Sequence, residues 1–424
     1  MRPGARVQAA IEILADLEAR KRPAAEAVKD WMLGHRFAGS KDRSAIGDLV
    51  FCGLRWRASS AWRLEAENPR NLVLGALVCG LGEPVERLNE HWAGDPHAPA
   101  QIAAAEAKAL ERTLEDAPAW VAGDYPEWAE ASFARAFGAD RVAQGQALAA
   151  PAPLDLRANT LKASREKVLA MLADHPRLHG VPQPTPHVPE GVRLPWTFGR
   201  SFNWAGDVAF EKGWFEVQDE GSQLAALLCE AGPGQQVADV CAGGGGKTLA
   251  LAAAMQNKGQ IYAYDIESQR LGALVPRLER AGARNVQVRA PAKSRDVLAD
   301  LERRMDVVLV DAPCTGSGTW RRNPDAKWRL RPGALNVRGR EQQAALALGA
   351  RLVKPGGVLV YVTCSVFPDE NEDQAAAFLS RRTDFEAAPI TVSAPHIPRL
   401  HGIQFTPATT GTDGFFVCRM RRSA

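Results

Sequence analysis

For residues 216–424 the sequence predicts an α/β fold with a doubly wound, mostly parallel sheet. Three observations predict it. Short apolar runs of strand character alternate with helical stretches. A glycine-rich turn, CAGGGGKT at residues 241–248, follows the first of those runs. Later runs end on residues able to do chemistry, Asp265, Asp311 and Cys364. Ahead of this part, residues 141–215 read as a small α+β region and residues 1–140 as all helical.

The helical reading rests on spacing. Val7, Ile11 and Leu14, with Ile13 and Leu17, make one apolar stripe. Asp42 is placed to cap a helix that carries Ile46, Leu49, Val50 and Leu54 on one face. Residues 72–81 are nearly all apolar and suit a buried helix. The texture changes at PAPLDLRANT, 151–160, where a strand at 154–158 precedes a helix at 163–174. A proline-rich stretch, 175–195, leads to aromatic segments with Trp196, Phe198, Phe202 and Trp204. Strands are then predicted at 237–242, 261–266, 286–290, 306–313, 356–365 and 414–420. Helices are predicted at 248–255, from the second strand through Leu278, and at 373–381.

Bulk properties narrow the class. A length of 424 residues suggests two or three domains, and 46% hydrophobic content allows real cores. The net charge of +3 is too small to bind a polyanion by itself, so such a face must come from local clustering. Seven cysteines without a CxxC pair argue against a disulfide framework and a zinc site. The eight histidines form no metal-ligand or triad spacing, and no metal is expected. Glu12 and Asp16 interrupt the N-terminal stretch, which excludes a signal peptide, and no apolar run is long enough to span a membrane. A soluble, cytoplasmic monomer is expected.

The glycine turn has two readings. A phosphate loop needs glycine at the first position of G-x-x-x-x-G-K-[ST], and Cys241 stands there. The run 306–313 could serve as the acidic strand of an ATPase, so that reading is partial. The other reading is a turn that lets the backbone approach the amino-acid tail of S-adenosylmethionine, with Asp265 on the ribose hydroxyls. The plainer role for Asp265 is a helix cap. Cys314 and Cys364 follow two strand ends, which in a parallel sheet face one crevice. Carbon-5 of a pyrimidine is a poor nucleophile. A thiolate adding at carbon-6 activates it, and a group at ring nitrogen 3 must assist, a task for which Asp311 is well placed. Cysteines are usually packing residues, and Cys52, Cys79, Cys229, Cys241 and Cys418 are read that way.

The chain resembles the Sun/RsmB/NOP family of RNA (cytosine-5)-methyltransferases. The residues that carry this are DVCAGGGGKT (239–248), YDIESQRL (264–271), DVVLVDAPCTGSGTWRRNPDAKW (306–328), LVYVTCSVFPDENE (359–372) and GTDGFFVCRM (411–420). LRANTLKASRE (156–166) and VQDEGSQLAALL (217–228) are similar to that family's preceding segments, and KDRSAIGDLVFCGLRWR (41–57) to the NusB-like domain of its bacterial RsmB branch. The resemblance implies a Rossmann-like class I methyltransferase domain at 216–424, an RNA-binding α+β region at 141–215 and a NusB-like RNA-binding domain at 1–140. It implies Cys364 as the nucleophile and Cys314 as the group that helps break down the covalent adduct. Asp311 and Lys247 would lie beside the target base. S-adenosylmethionine would contact Cys241, Ala242, Gly243, Gly244, Gly245, Gly246 and Lys247, with Asp265, Arg270 and Asp311. The family's loop reads Ala-Pro where Gly243-Gly244 stand here, which should loosen the loop. The acid expected after the third strand, near adenine, is replaced by Ala290, Pro291 and Ala292.

Residues 315–333 hold five basic side chains and one acid, with two tryptophans interleaved. Arg321, Arg322, Lys327 and Arg329 are expected on RNA phosphates, and Trp320 and Trp328 in packing. Arg55, Arg57, Arg157, Lys162, Arg165 and Lys167 are weaker candidates. The NusB-like start points to small-subunit ribosomal RNA. Transfer RNA is the alternative substrate, and a P-loop-like ATPase or a non-catalytic RNA-binding protein the alternatives in class.

Overall fold

The structure is a computed structural model that describes residues 1–178, 180–195, 204 and 206–424. The aromatic residues Trp196, Phe198 and Phe202 lie outside the described residues. The chain forms two compact units. One comprises residues 1–150 with 320–332, the other residues 151–319 with 333–424.

The first unit is helical. Its opening helix, Pro3–Arg20, buries Val7, Ile13, Leu14 and Leu17, the stripe read from the sequence. These meet Ile46, Val50 and Leu54 of helix Ser40–Arg55, and Leu72 and Val73 of helix Pro69–Gly75. Asp42 is not the N-cap. Gly39 holds that position, and Asp42 reaches back to the Gly39 N–H at 3.3 Å from the first turn. Its carboxylate also takes the N-terminal ammonium at 3.1 Å and Arg6 at 2.8 Å. The apolar run after Asn68 is buried only as far as Leu77, because the helix widens into a π turn over Ala76–Gly80. Cys79 is consequently exposed, not packed.

Residues 320–332 complete this unit from far along the chain. Trp320 is buried and stacks on Phe133 at 6.0 Å between ring centroids. Helix Pro324–Arg329 follows, and the Trp328 indole donates to the Leu54 carbonyl at 2.6 Å. Both tryptophans are packing residues, as expected.

The second unit holds two sheets. A small antiparallel sheet has β1 (Leu154–Ala158), β2 (Gln183–Pro184), β3 (Gly191–Leu194) and β4 (Phe215–Val217), in the order β2-β3-β1-β4. The strands β2 and β3 lie inside the proline-rich stretch, where no alternation announced them. Helix Arg165–Ala173 covers this sheet through Val168 and Leu172.

The large sheet begins with β5 (Gln236–Asp239), β6 (Gln260–Tyr264), β7 (Val286–Arg289), β8 (Met305–Asp311) and β9 (Val353–Thr363). These five are parallel, in the order β9-β8-β5-β6-β7. Each is within a few residues of its expected place. An antiparallel flank follows: β10 (Phe385–Ala387), β11 (Ile397–Arg399), β12 (Gly402–Phe405) and β13 (Phe415–Arg422), with β13 paired to β9. Only β13 of that flank was foreseen; the others are three or four residues long. The central strands β5, β8 and β9 bury both faces over most of their length, as runs such as VVLV in β8 require, whereas β6 alternates and β7, at the edge, is only partly buried. The order in which strands are added reverses between β5 and β8, from β5-β6-β7 on one side to β8-β9 on the other, so their carboxyl ends open a crevice at a topological switch point.

Candidate active site

A cavity of about 800 Å³ lies in that crevice. Its walls come from the ends of β5, β6, β8 and β9 and from helix Gly333–Leu352. The cavity brings together Cys241, Ala242, Gly243, Gly244, Gly246 and Lys247 of the turn after β5. It also takes in Asp265, Arg270, Asp311, Cys314 and Cys364.

The turn is shaped by two glycines. Gly243 and Gly245 hold φ of +52° and +85°, in the left-handed region that disfavours side chains. Gly245 does not line the cavity. A Cβ there would fall 2.1 Å from Leu274 Cδ1, so packing against that helix requires glycine at this position. The Gly243 N–H donates to Asp265 Oδ2 at 2.9 Å, and Asp265 Oδ1 accepts from Glu267 N–H at 2.9 Å. Asp265 is therefore more than a helix cap. It ties the turn after β5 to the turn after β6, and each carboxylate oxygen keeps a lone pair for a ribose hydroxyl.

Lys247 sits in the first turn of helix Gly246–Ala254 and is buried. Its Nζ lies 2.7 Å from Asp311 Oδ2. Burial pushes this ammonium down, but the Asp311 carboxylate raises it further, so the net shift is upward and the lysine stays charged. Thr248, the next residue, gives its hydroxyl to Asp239 at 2.7 Å and is fully buried. In a phosphate loop that hydroxyl would face a magnesium ion. Here it faces a carboxyl that burial, above all, pushes up to about 7.

The two strand-end cysteines meet. Cys314 Sγ and Cys364 Sγ are 3.3 Å apart as free thiols. The bond to Cys364, then burial, then the charges of Cys364 and Glu370 hold the Cys314 thiol well above its ordinary range. The negative charge of Cys364 also helps raise Lys247.

Two hydrogen-bond clamps fix this spacing. Ser317 Oγ pairs with Ser365 Oγ at 2.9 Å and accepts from Val366 N–H at 2.9 Å, while Gly318 N–H donates to the Cys364 carbonyl at 3.0 Å. Glu370, with no exposed surface, accepts from Thr315 N–H at 2.8 Å and from Gln342 at 3.1 Å. Ser317 and Glu370 were missed as site residues, although both stand in the quoted motifs. Their role depends on which loops the sheet order brings side by side.

Other wall residues were also missed. Gln218, Asp219 and Ser222 enter from the segment after β4, and Arg277, Arg338 and Glu341 from two helices. No acid follows β7 into the cavity: Asp296 pairs with Arg351 at 2.7 Å and lies outside its walls. The cavity walls also include the apolar residues Ile266, Ala344, Ala345 and Leu348, a lining suited to a flat heterocycle. A turn with helix N-terminal amides, an acid for the ribose and this shelf fit S-adenosylmethionine.

The expected RNA contacts divide. Lys327 is buried, and its ammonium bonds the carbonyls of Arg55 at 2.9 Å and Asp124 at 2.5 Å. Arg321, Arg55 and Arg157 are buried too. None of the four presents a cation at a surface, so their expected phosphate contacts are withdrawn. Arg329 is exposed beside Asp325 at 3.2 Å, and Arg322 is half-buried. Among the described residues no cluster of three or more His, Cys, Asp or Glu could hold a metal, and no helix is long and apolar enough to cross a membrane.

A glycine turn, an acid after the second strand and two thiols in a strand-end crevice, on a Rossmann-type sheet, are the features of an S-adenosylmethionine-dependent methyltransferase. A family model described as 16S rRNA methyltransferase RsmB/F matches residues 226–421, and one described as the RsmF/B-like ferredoxin-like domain matches residues 125–197. A probable ribosomal RNA small subunit methyltransferase B from Synechocystis is 33% identical over 70% of this chain and 67% of its own length. A protein of the same description from Bacillus subtilis is 30% identical over 70% of this chain and 66% of its own. The chain thus spans about two thirds of the length of these curated relatives. Among solved structures, a methyltransferase homolog protein from Pyrococcus horikoshii is 27% identical, with a TM-score of 0.60 over 72% of this chain and 97% of that one. The chain belongs to the RsmB/F methyltransferase family.

Proposed function

We propose that this protein methylates carbon-5 of a cytosine in small-subunit ribosomal RNA, in the cytoplasm and as a monomer. The observation that carries the reading is the thiol pair at 3.3 Å, set in one cavity with the Lys247–Asp311 ion pair. S-adenosylmethionine supplies the methyl group when bound. Cys364, acting as its thiolate, is the nucleophile that forms a bond to carbon-6 of the base. As that bond forms, Asp311 passes to ring nitrogen 3 a proton supplied by the Lys247 ammonium, and it takes the proton back when the adduct breaks down. After methyl transfer, Cys314, having lost its own proton to solvent, takes the carbon-5 proton; the freed electron pair re-forms the carbon-5–carbon-6 double bond, and the carbon-6–sulfur bond breaks to release Cys364 as a thiolate. The target base must be unpaired or flipped out to reach the cavity. The helical unit and the small antiparallel sheet supply RNA-binding surface, with Arg322 and Arg329 as the phosphate contacts kept from the sequence reading.

Cys314→Ala should accumulate a covalent protein–RNA adduct, whereas Cys364→Ala should form none and transfer no methyl. An adduct that persists without Cys364 would reverse the two roles. Bisulfite sequencing of ribosomal and transfer RNA, with and without the gene, identifies the substrate. Titration with S-adenosylmethionine and with ATP separates the alternatives in class. Binding of ATP alone would support an ATPase, and binding of neither a non-catalytic RNA-binding protein.

A further inference from the structure

The turn after β5 is the least constrained part of the cavity by sequence. Four consecutive glycines leave it free to adopt many conformations, and ordering it for a ligand should cost more than for any other composition. The structure nevertheless ties it on both sides of one peptide bond. The Gly243 N–H is held by Asp265, as described. The Gly244 carbonyl accepts from Arg277 Nη1, a side chain on helix Leu274–Ala281.

Arg277 is itself held. Its Nη2 and Nε donate to Glu216 Oε2 at 2.8 and 3.3 Å. Glu216 belongs to β4 and is buried, and its other oxygen takes Arg280. Arg157, opposite Glu216 across β1 and β4, adds a buried positive charge beside it and donates to Gln218 at 2.7 Å. Gln218 and Arg277 both line the cavity. A chain of charge-assisted bonds therefore runs from the small antiparallel sheet, through Glu216 and Arg277, to the backbone of the cofactor turn. Such bonds hold a donor in one direction more firmly than neutral ones.

We propose that Arg277, oriented by Glu216, is a positioning residue that locks the Gly243–Gly244 turn in its cofactor-receiving shape before the cofactor arrives. The proposal rests on the reading of the cavity as an S-adenosylmethionine site. In this role Arg277 lowers the ordering cost of a turn that no side chain or ring of its own restrains. The small sheet, in addition to any part in RNA binding, is then built into cofactor affinity.

The test uses the full chain and the variant Arg277→Ala. Arg280 still pairs with Glu216 in that variant, so no buried carboxylate is stranded, and the thermal midpoint should move little. Titration calorimetry with S-adenosylhomocysteine should show roughly tenfold weaker binding, the size of one lost charge-assisted bond. Amide hydrogen exchange of the ligand-free proteins should be faster in the variant at residues 243–246 and unchanged on β5 and β6. Steady-state kinetics should raise KM for S-adenosylmethionine and leave kcat near wild type. Equal affinity in both proteins overturns the proposal. So does weaker binding with unchanged exchange, which would make Arg277 a direct ligand contact. Wild-type protein that binds ATP and not S-adenosylhomocysteine instead overturns the reading of the site, and the exchange comparison then still decides whether Arg277 restrains the turn.

Discussion

Lys247 and Lys327 are both buried, yet they carry their charge in opposite ways. Lys247 lines the cavity with a carboxylate at 2.7 Å, and that carboxylate outweighs burial, so its ammonium is raised. Lys327, in the helical unit, meets the backbone carbonyls of Arg55 and Asp124. Burial brings it down to about 7; the Asp124 carboxylate only partly offsets this, and the Arg55 guanidinium adds to it. The difference teaches that burial alone says nothing about what a lysine does. A directly bonded carboxylate keeps a buried ammonium ready for chemistry, whereas carbonyls make it a structural donor.

The largest expected effect separates the two by function. Lys247→Met should lower single-turnover methyl transfer to small-subunit ribosomal RNA by roughly 10²–10⁴, the range of a lost proton-handling group. Lys327→Met should leave the rate within a few-fold. Equal losses in both would remove the distinction. Next, Asp311→Asn should turn Lys247 into a second Lys327, a buried amine without a bonded carboxylate. Methyl transfer should fall by roughly 10² or more, and should recover in part at lower pH, where the amine regains its proton. A pH profile unchanged from wild type would show that the carboxylate does not set the lysine's charge.

The third prediction concerns stability. The unfolded chain keeps a proton on Lys327 up to about 10.5, the folded chain only up to about 7. Between those values the unfolded state binds more protons, so stability rises with pH across that window. Thermal unfolding should show this rise in wild type and lose it in Lys327→Met. The smallest effect is expected at Thr248→Val. Removing the hydroxyl leaves a buried Asp239 oxygen without its partner, which should cost about 1–3 kcal/mol of stability with little change in cofactor affinity. A large loss of affinity without loss of stability would return Thr248 to the ligand's side of the turn.

Much of the catalytic half was legible in the sequence. The central parallel strands announced themselves as apolar runs, because both faces of β5, β8 and β9 are covered. The short strands β2, β3, β10, β11 and β12 carried no such signal, since two to four residues cannot establish an alternation. The basic, aromatic texture of 320–332 was misleading for a different reason. Arg321 and Lys327 look like phosphate ligands in any window of sequence, and only the helices that receive them make them interior residues.

The sequence by itself determined the order of strands and helices, the glycine turn, and the placing of Asp265, Asp311, Cys314 and Cys364 at or just beyond strand ends. These are local matters of periodicity and turn chemistry, which neighbouring residues decide. The tertiary structure alone decided that β8 and β9 lie side by side and bring two thiols to 3.3 Å. It also decided that Arg277 reaches the Gly244 carbonyl and that Lys327 closes on the helical unit. Those outcomes turn on charged groups meeting partners far away in the chain, and their energies depend on burial that no local stretch encodes.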